Sequence, residues 1–290
     1  MKLLITGASS ALASRLVALL LERGKFSFRL LEHRSPVRME SCETVSGDMT
    51  DLESLDRACH GMDGVLHLAA LTHSCNNAEY FQVNREGTRN LIDACKKNDV
   101  RRFIFVSSAA AVGDGGAYCL SKLESEELVC NSGLRWVILR PSEVYGPQMK
   151  EGIGNLISWV KNLKYIPVVG DGSYRMSPVY IDDVVEAMAQ VVMNPNLTSR
   201  KLNLCGPEIM PFGEVIDRLS HYLGLRRNKI FIPVWIARLA VSLASLVKLG
   251  SFTPDQISRL LCGKDQGISQ TATSISYSPR KLEEGLREYL

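Results

Sequence analysis

The feature of this sequence that most constrains its fold is the alternation of short apolar runs with amphipathic segments through its first half. The runs have the length and composition of buried strands and lie at 2–6, 27–32, 64–68, 102–107 and 134–139. The segments between them at 11–23, 79–97 and 117–131 carry apolar residues at helical spacing. Strands alternating with helices predict βαβ units, and therefore an α/β protein with a doubly wound parallel sheet.

In such a sheet the ligand lies beyond the carboxyl ends of the strands, at the point where the winding reverses. That point is expected between the first strand and the strand that ends at Leu68. The chemistry should therefore follow Thr6, Leu68, Val106 and Leu139.

The second half of the chain has a weaker pattern, with frequent Gly and Pro after about Pro147. The stretch 178–206 regains βαβ character, so we expect it to return to the sheet. The predicted division is a dinucleotide-binding Rossmann domain of residues 1–150 and 178–206, with a smaller, discontinuous C-terminal substrate lobe of residues 151–177 and 207–290.

Composition limits the partners and the compartment. A net charge of +3, from 34 Lys and Arg against 31 Asp and Glu, is too weak for a nucleic-acid groove. The eight cysteines include no C-x-x-C pair, and no His stands at a metal-ligand spacing, so free thiols and no metal site are expected. Because Met1 to Gly7 run directly into a strand, with no room for a signal peptide, we expect a cytoplasmic protein.

One apolar segment, 230–247, contains a single charge, Arg238, and is nearly long enough to span a bilayer. The central Arg and the interspersed Ser242 and Ser245 favour a helix buried in the lobe or at a subunit contact, with Pro233 in its first turn. A helix on a membrane surface is the alternative, and no integral span is expected.

The turn after the first strand, Thr6 to Ala13, opens a helix, where backbone N–H groups can receive a pyrophosphate. In the G-x-x-G-x-x-G spacing Gly7 supplies the tight turn, whereas Ser10 and Ala13 replace the second and third glycines. Glu32 lies 25 residues beyond Gly7, near the offset at which an acidic side chain binds the ribose diol of NAD. Arg34 could instead meet a 2′-phosphate, which keeps NADP possible.

A pair of residues suited to acid–base chemistry follows. Tyr118 and Lys122 are i and i+4 on a helix, so the phenol and the ammonium project from one face. The Lys122 charge is expected to lower the pKa of Tyr118 toward a useful range. Ser108, at the end of the preceding strand, supplies a hydroxyl at the same rim.

With these motifs in order the chain resembles an extended short-chain dehydrogenase/reductase of the NAD-dependent epimerase/dehydratase family, over nearly its whole length. The matching pieces are TGASSALA, Gly47-Asp48, HLAA at 67–70, FQVN at 81–84 with Gly87-Thr88, VSS at 106–108, YCLSK at 118–122, Arg140-Pro141 with Val144 to Pro147, and Gly170-Asp171-Gly172 through Asp183.

The resemblance implies a role for each matching residue. Ser108, Tyr118 and Lys122 would be catalytic, and Ser108 and Arg175 would bind the substrate. Asp48 would bond the adenine edge, and Pro141 and Val144 would flank the nicotinamide. The full set of implied cofactor contacts is Gly7, Ser9, Ser10, Ala11, Leu12, Glu32, Arg34, Asp48, Met49, Leu68, Ala69, Ala70, Asn84, Tyr118, Lys122, Pro141 and Val144.

Two departures from the family pattern shape the expected activity. Only ten residues separate Ser108 from Tyr118, which predicts an open site, and Ala109-Ala110 replace the Asp-Glu pair of the dehydratases, which disfavours dehydration. We therefore expect an NAD(P)-dependent epimerase that acts on a nucleotide-sugar, in a homodimer. The alternatives are a reductase or dehydrogenase of an apolar, sterol-like hydroxyl compound, and a non-catalytic dinucleotide-binding assembly protein similar to an accessory subunit of respiratory complex I.

Overall fold

The computed structural model describes residues 1–24, 26–37, 39–246, 253–264 and 267–290. In chain order its strands are β1 (Lys2–Thr6), β2 (Ser27–Glu32), β3 (Glu43–Ser46), β4 (Gly64–His67), β5 (Arg102–Val106), β6 (Arg135–Pro141), β7 (Val144–Tyr145), β8 (Tyr165–Val169), β9 (Arg175–Met176), β10 (Val179–Tyr180), β11 (Arg200–Leu204), β12 (Met210–Pro211) and β13 (Asn228–Ile232). Its α-helices are α1 (Ala11–Glu22), α2 (Leu52–Cys59), α3 (Asn77–Tyr80), α4 (Gly87–Lys97), α5 (Ala117–Cys130), α6 (Ile153–Asn162), α7 (Ile181–Met193), α8 (Phe212–Tyr222), α9 (Val234–Leu246), α10 (Pro254–Leu261), α11 (Ser269–Ser274) and α12 (Leu282–Tyr289).

A seven-stranded parallel sheet organises the chain, in the order β11-β6-β5-β4-β1-β2-β3. The winding reverses between β1 and β4, which pair in parallel with Ile5 opposite Leu66. This confirms the predicted doubly wound sheet and places the reversal where the sequence predicted it. β11 pairs with β6, so the stretch after residue 178 does return to the sheet. The division into a dinucleotide domain and a lobe stays a prediction.

The sheet is buried on both faces because its central strands are almost wholly apolar. Successive residues of β1 point to opposite sides: Leu3 and Ile5 pack with the α1 and α7 side chains, whereas Leu4 packs with those of α2 and α4. Helices on both faces cover the parallel strands, which accounts for the continuous apolar runs in the sequence.

The helix predicted over 79–97 is interrupted. α3 leads into a π-helical turn, Phe81–Glu86, before α4 begins at Gly87. π-Helical turns inside helices occur frequently at functional sites. This one carries Asn84, a predicted cofactor contact.

The C-terminal helix α12 packs against β7 and β10. The buried Tyr145 hydroxyl donates to the Leu282 carbonyl at 3.0 Å. A Cβ atom on Gly285 would lie 2.1 Å from the Tyr145 hydroxyl oxygen, so glycine is needed for the close approach. The Arg280 backbone N–H donates to the Asp183 carboxylate on α7 at 2.8 Å.

The expectation for 230–247 was wrong in two respects. Residues 230–232 belong to β13, so the helix begins only after Pro233. Between Val234 and Leu243 the helix is not buried in the lobe, because Ala237 is its one buried residue in that stretch. The other expected arrangement, a helix at a subunit contact, stays a prediction. Val247 lies outside the described residues.

The described residues contain no helix that is both long and apolar enough to cross a membrane. All eight cysteines carry free thiols. The cytoplasmic location and the homodimer stay predictions.

Candidate active site

Tyr118 lies in the first turn of α5, at the carboxyl edge of the sheet. Gly116 precedes the helix with a φ of +93° and supplies no capping side chain. Asp255 on α10 caps the helix instead, because its Oδ1 atom accepts from the Tyr118 backbone N–H at 3.3 Å. A carboxylate at a helix N-terminus is also favoured by the helix dipole. The start of α5 is thus fixed by a residue from far along the chain.

Lys122 is almost wholly buried one turn further along α5. Its Nζ atom donates to the Val106 carbonyl at 3.0 Å and lies 4.1 Å from the centre of the Phe105 ring. Burial lowers the pKa of Lys122 to about 7, against the opposing effect of the Glu126 carboxylate. The ammonium has three N–H donors, and one of them is used by Val106.

The expectation that Lys122 lowers the pKa of Tyr118 was wrong. Burial raises the pKa of the Tyr118 phenol above its usual value. The opposing influences are the Arg259 guanidinium and a hydrogen bond with Ser108, not the Lys122 charge. A buried amine that loses its own proton near neutral pH is a weak electrostatic support for a phenolate.

Arg259, on α10, is a site residue that the sequence did not indicate. Its guanidinium carbon lies 4.7 Å from the centre of the Tyr118 ring, and Nη1 donates to the Thr72 carbonyl at 3.2 Å. The capping box of Thr253 and Gln256 marks the start of α10 in the sequence. Nothing in the sequence shows that this helix packs over Tyr118.

Ser108 lies just beyond β5. Its hydroxyl oxygen accepts from the Ala110 backbone N–H at 3.1 Å, and the hydroxyl acts to lower the pKa of Tyr118. The Ala109 N–H donates to the Pro141 carbonyl at 2.8 Å, which ties this loop to β6. Ala109 and Ala110 are both buried. Because their side chains are methyl groups, these two positions offer no acid–base group.

The turn after β1 has the geometry of a pyrophosphate loop. Gly7 has a φ of +69°, and a Cβ atom there would lie 2.6 Å from the Ala69 nitrogen. Both facts require glycine, as predicted for the tight turn. The Ser10 side chain caps α1 by accepting from the Ala13 N–H at 3.2 Å. Ser9 is exposed beside it, and Ala11 and Leu12 are half-buried.

A buried hydrogen-bonded chain fixes the loop after β4. The Thr6 hydroxyl lies 2.6 Å from His67 Nδ1, and His67 Nε2 lies 3.0 Å from the Thr88 hydroxyl. Burial lowers the pKa of His67 well below its usual value, and the Lys122 charge acts in the same direction, so the imidazole is neutral. The Ala69 N–H donates to Thr6 Oγ1 at 3.2 Å. Leu68 to Ala70 are thereby held beside Gly7.

Asn84 acts as a brace between two elements of the site. Its side chain accepts from the Leu71 N–H at 2.7 Å and donates to the Leu71 carbonyl and to Ser121 on α5. These bonds hold the loop after β4 against α5. Asn84 therefore positions the site, whatever it contributes to a cofactor.

The remaining predicted residues lie around this edge or outside it. At the end of β2, the Glu32 side chain is half-buried and the Arg34 side chain is exposed. Asp48 accepts from the Thr50 N–H and lies 3.0 Å from His33 Nε2, and the first of these bonds contributes most to its lowered pKa. The others are placed as follows: Met49 is buried against Gly87, Pro141 is buried at the end of β6, Val144 is half-buried in β7, and Arg175 is exposed on β9, where Nη2 donates to the Ile209 carbonyl at 3.1 Å.

These residues fit a nicotinamide dinucleotide. The turn at Gly7 presents a helix N-terminus to a pyrophosphate, and buried Lys122 has N–H donors that suit ribose hydroxyls. The family model named NAD dependent epimerase/dehydratase matches residues 3–205. The chain belongs to that family.

The family is described as one of NAD-dependent epimerases and dehydratases, which agrees with the predicted enzyme class and cofactor. A 3β-hydroxysteroid-dehydrogenase/decarboxylase of Arabidopsis thaliana is 26% identical over 98% of this chain, which spans 60% of that protein. A UDP-glucose 4-epimerase of Vibrio cholerae is 23% identical over 99% of this chain and 93% of its own. The structure of UDP-glucuronic acid 4-epimerase from Bacillus cereus, with UDP-glucuronic acid and NAD, matches with a TM-score of 0.78 at 23% identity, over 99% of this chain and 97% of that one.

We expect this family member to bind NAD more tightly than NADP. The Glu32 carboxylate at the end of β2 would repel a 2′-phosphate, whereas Arg34 would attract it. Fluorescence titration of both cofactors measures the ratio, and Glu32→Ala should shift it toward NADP while Arg34→Ala shifts it toward NAD. Tenfold tighter binding of NADP, about 1.4 kcal/mol, would show that Arg34 decides the preference.

Proposed function

We propose that the chain transfers a hydride to and from a secondary alcohol carbon of its substrate, with Tyr118 as the acid–base. The observation that carries this proposal is that Lys122, one turn beyond Tyr118 on α5, bonds to the Val106 carbonyl at the end of β5, two residues before Ser108. NAD, when bound, supplies the acceptor and donor of the hydride. The Tyr118 oxygen takes the proton of the alcohol during oxidation and returns it during reduction. Ser108 holds the substrate oxygen by a hydrogen bond.

The raised pKa of Tyr118 has a consequence for the direction of the chemistry. At neutral pH the phenol is protonated and ready to donate, which suits reduction of a ketone. Oxidation of an alcohol needs the phenolate and should therefore become faster as the pH rises. The Arg259 guanidinium lies against the ring and is the described cation that favours that phenolate.

For the substrate we propose an anionic, nucleotide-linked sugar, with epimerisation as the outcome. Arg259 beside Tyr118 gives the site a cation that would favour a negatively charged substrate. Arg175 adds a second cation on the lobe. Ala109 and Ala110 supply no carboxylate for water loss, which supports epimerisation over dehydration. The likeness to the UDP-glucose 4-epimerase over 93% of its length agrees with this choice.

A second candidate is the dehydrogenation of an apolar hydroxyl compound. Tyr118 belongs to an apolar cluster with Tyr80, Ala110, Cys119 and Cys262, packed by Leu71 and Val112. The short connection from Ser108 to Tyr118 also leaves room for a bulky substrate. The similarity to a plant 3β-hydroxysteroid-dehydrogenase/decarboxylase supports this alternative.

Product analysis separates the two. We expect UDP- or dTDP-sugars incubated with enzyme and NAD to yield an epimer, detected by NMR, without accumulation of reduced cofactor. Arg259→Gln should raise the KM for the nucleotide-sugar by about tenfold, as expected for the loss of one charge-assisted bond. Arg57→Gln, an exposed arginine on α2, is the control. Stable net reduction of NAD by a sterol-like alcohol, with no epimer from any sugar, would assign the second function instead.

A further inference from the structure

Helix α9 carries its large apolar side chains on the side that faces away from the protein. Val234, Ala237 and Val241 are its half-buried or buried residues in the stretch to Leu243, and their i, i+3, i+7 spacing forms one stripe against the protein. On the opposite side of the helix the exposed fractions are 68% for Trp235, 39% for Ile236, 54% for Leu239 and 56% for Leu243. A surface helix ordinarily turns its apolar side to the core. The reverse arrangement requires an explanation.

The strand before the helix extends this surface. β13 pairs with β8, with Asn228 opposite Tyr165 and Ile230 opposite Pro167. Tyr165, Ile230 and Phe231 are each about half exposed. We define the α9 surface as Tyr165, Ile230, Phe231, Trp235, Ile236, Leu239 and Leu243. Monomeric soluble proteins seldom expose so many large apolar side chains in one region.

The stretch of chain that forms β13 and α9 is rich in positive charge. Between Asp217 and Asp255 the sequence holds six Lys and Arg and no Asp or Glu, in a chain whose net charge is only +3. The cations in or next to this stretch that form no ion pair with a described residue include Lys161, Lys164, Arg226 and Arg238, and Lys164 Nζ lies 5.8 Å from the centre of the Tyr165 ring. Lys229 is paired with Asp217, and the Asp171 carboxylate borders a shallow cleft beside Phe231. The apolar residues are thus flanked by free positive charge.

We propose that the α9 surface docks onto a bilayer that contains anionic lipids. α9 would lie in the plane of the interface, with Leu239 and Leu243 at the acyl boundary and Trp235 at headgroup depth, the position that tryptophan prefers. The unpaired cations would meet the lipid phosphates. A second copy of the chain suits the surface less well, since twofold contact through one patch would bring these cations toward each other. The proposal is independent of the reaction assigned to Tyr118.

Vesicle sedimentation tests the docking with the full chain. We expect binding to phosphatidylcholine vesicles that contain phosphatidylglycerol at least tenfold tighter than to phosphatidylcholine alone, and weaker in high salt because the charges are screened. Leu239→Glu/Leu243→Glu should lose at least tenfold in binding. Leu52→Glu, at a leucine 48% exposed on α2, is the matched control and should bind normally.

Fluorescence gives a second readout. Trp235 is the most exposed of the three tryptophans, since Trp136 and Trp159 are half-buried, so vesicles should shift the emission to the blue in the native chain and not in Trp235→Phe. The proposal is overturned if no vesicle sediments the protein, or if the double Glu variant binds as the native chain does. It is equally overturned if the native chain is a dimer that ignores vesicles and the double Glu variant is a monomer, because a second copy then covers the surface.

Discussion

Tyr118→Phe is expected to lower turnover by about 10²- to 10⁴-fold, the usual contribution of a positioned acid–base group. Phe keeps the ring that packs edge-on against Tyr80 and beneath Arg259, so the fold and cofactor affinity should change little. Only the proton path is removed. Steady-state kinetics on the substrate identified by product analysis, together with cofactor titration, measure both effects.

Tyr145→Phe is the matched control. Tyr145 also lies at the strand rim, but its hydroxyl donates to the Leu282 carbonyl and burial raises its pKa, so it holds the fold and has no free proton to exchange. The control should keep turnover and lose about 1 kcal/mol of stability with its hydrogen bond. Near-native turnover in Tyr118→Phe would remove Tyr118 from the mechanism.

Lys122→Met is expected to lower both turnover and cofactor affinity, and at the same time to stabilise the cofactor-free protein at neutral pH. In the unfolded chain Lys122 holds its proton up to a pKa of 10.5, whereas in the fold its pKa is about 7. Between these values unfolding takes up a proton, so the free energy of unfolding rises with pH in the native protein. Methionine keeps an apolar side chain beside Phe105 and has no titrating group, so the variant loses this pH dependence of the free energy of unfolding.

Urea unfolding at pH 7 and pH 9 measures the difference. Between pH 7 and pH 9 the free energy of unfolding of the native protein should rise by about 2 kcal/mol relative to that of Lys122→Met. The extra stability of the variant therefore becomes smaller as the pH rises. Lys97→Met is the control, because Lys97 lies on the surface and should leave the pH dependence as it is. Parallel stability curves for the native chain and Lys122→Met would mean that the buried amine is charged throughout.

The sequence predicted five strands of the sheet, β1, β2, β4, β5 and β6, within two residues, because these strands are apolar and bounded by turn residues. It gave no bounds for β3 or α2, whose residues are mostly polar. It also predicted the strand edge where Ser108 and Tyr118 meet, since the carboxyl ends of parallel strands share one side. The interrupted helix at Phe81–Glu86 was missed because a π-helical turn keeps the same side-chain types as an α-helix.

Long-range placement was the part that could not be predicted. Arg259 and Asp255 on α10 contact Tyr118 on α5 from more than a hundred residues along the chain, and no periodic pattern encodes that contact. The pKa of Tyr118 was misjudged for a related reason. Helical spacing places Lys122 on the same face as Tyr118. It does not show that both groups are buried, or that burial raises the pKa of Tyr118 and lowers that of Lys122. The exposure of the apolar residues of α9 was not predicted, because an apolar helical segment has the same sequence pattern whether its side chains are buried or exposed.

The docking of α12 against Tyr145 also bears on how the protein is made. β1 to β6 emerge from the ribosome well before α12, so the sheet can begin to form during translation, as domains commonly do. The rim around Tyr145 stays without Leu282 and Leu286, both buried in the finished core, until α12 has been synthesised. A nascent chain stalled before α12 would therefore expose apolar surface to chaperones and proteases, and only a chain extended through α12 can bury that surface.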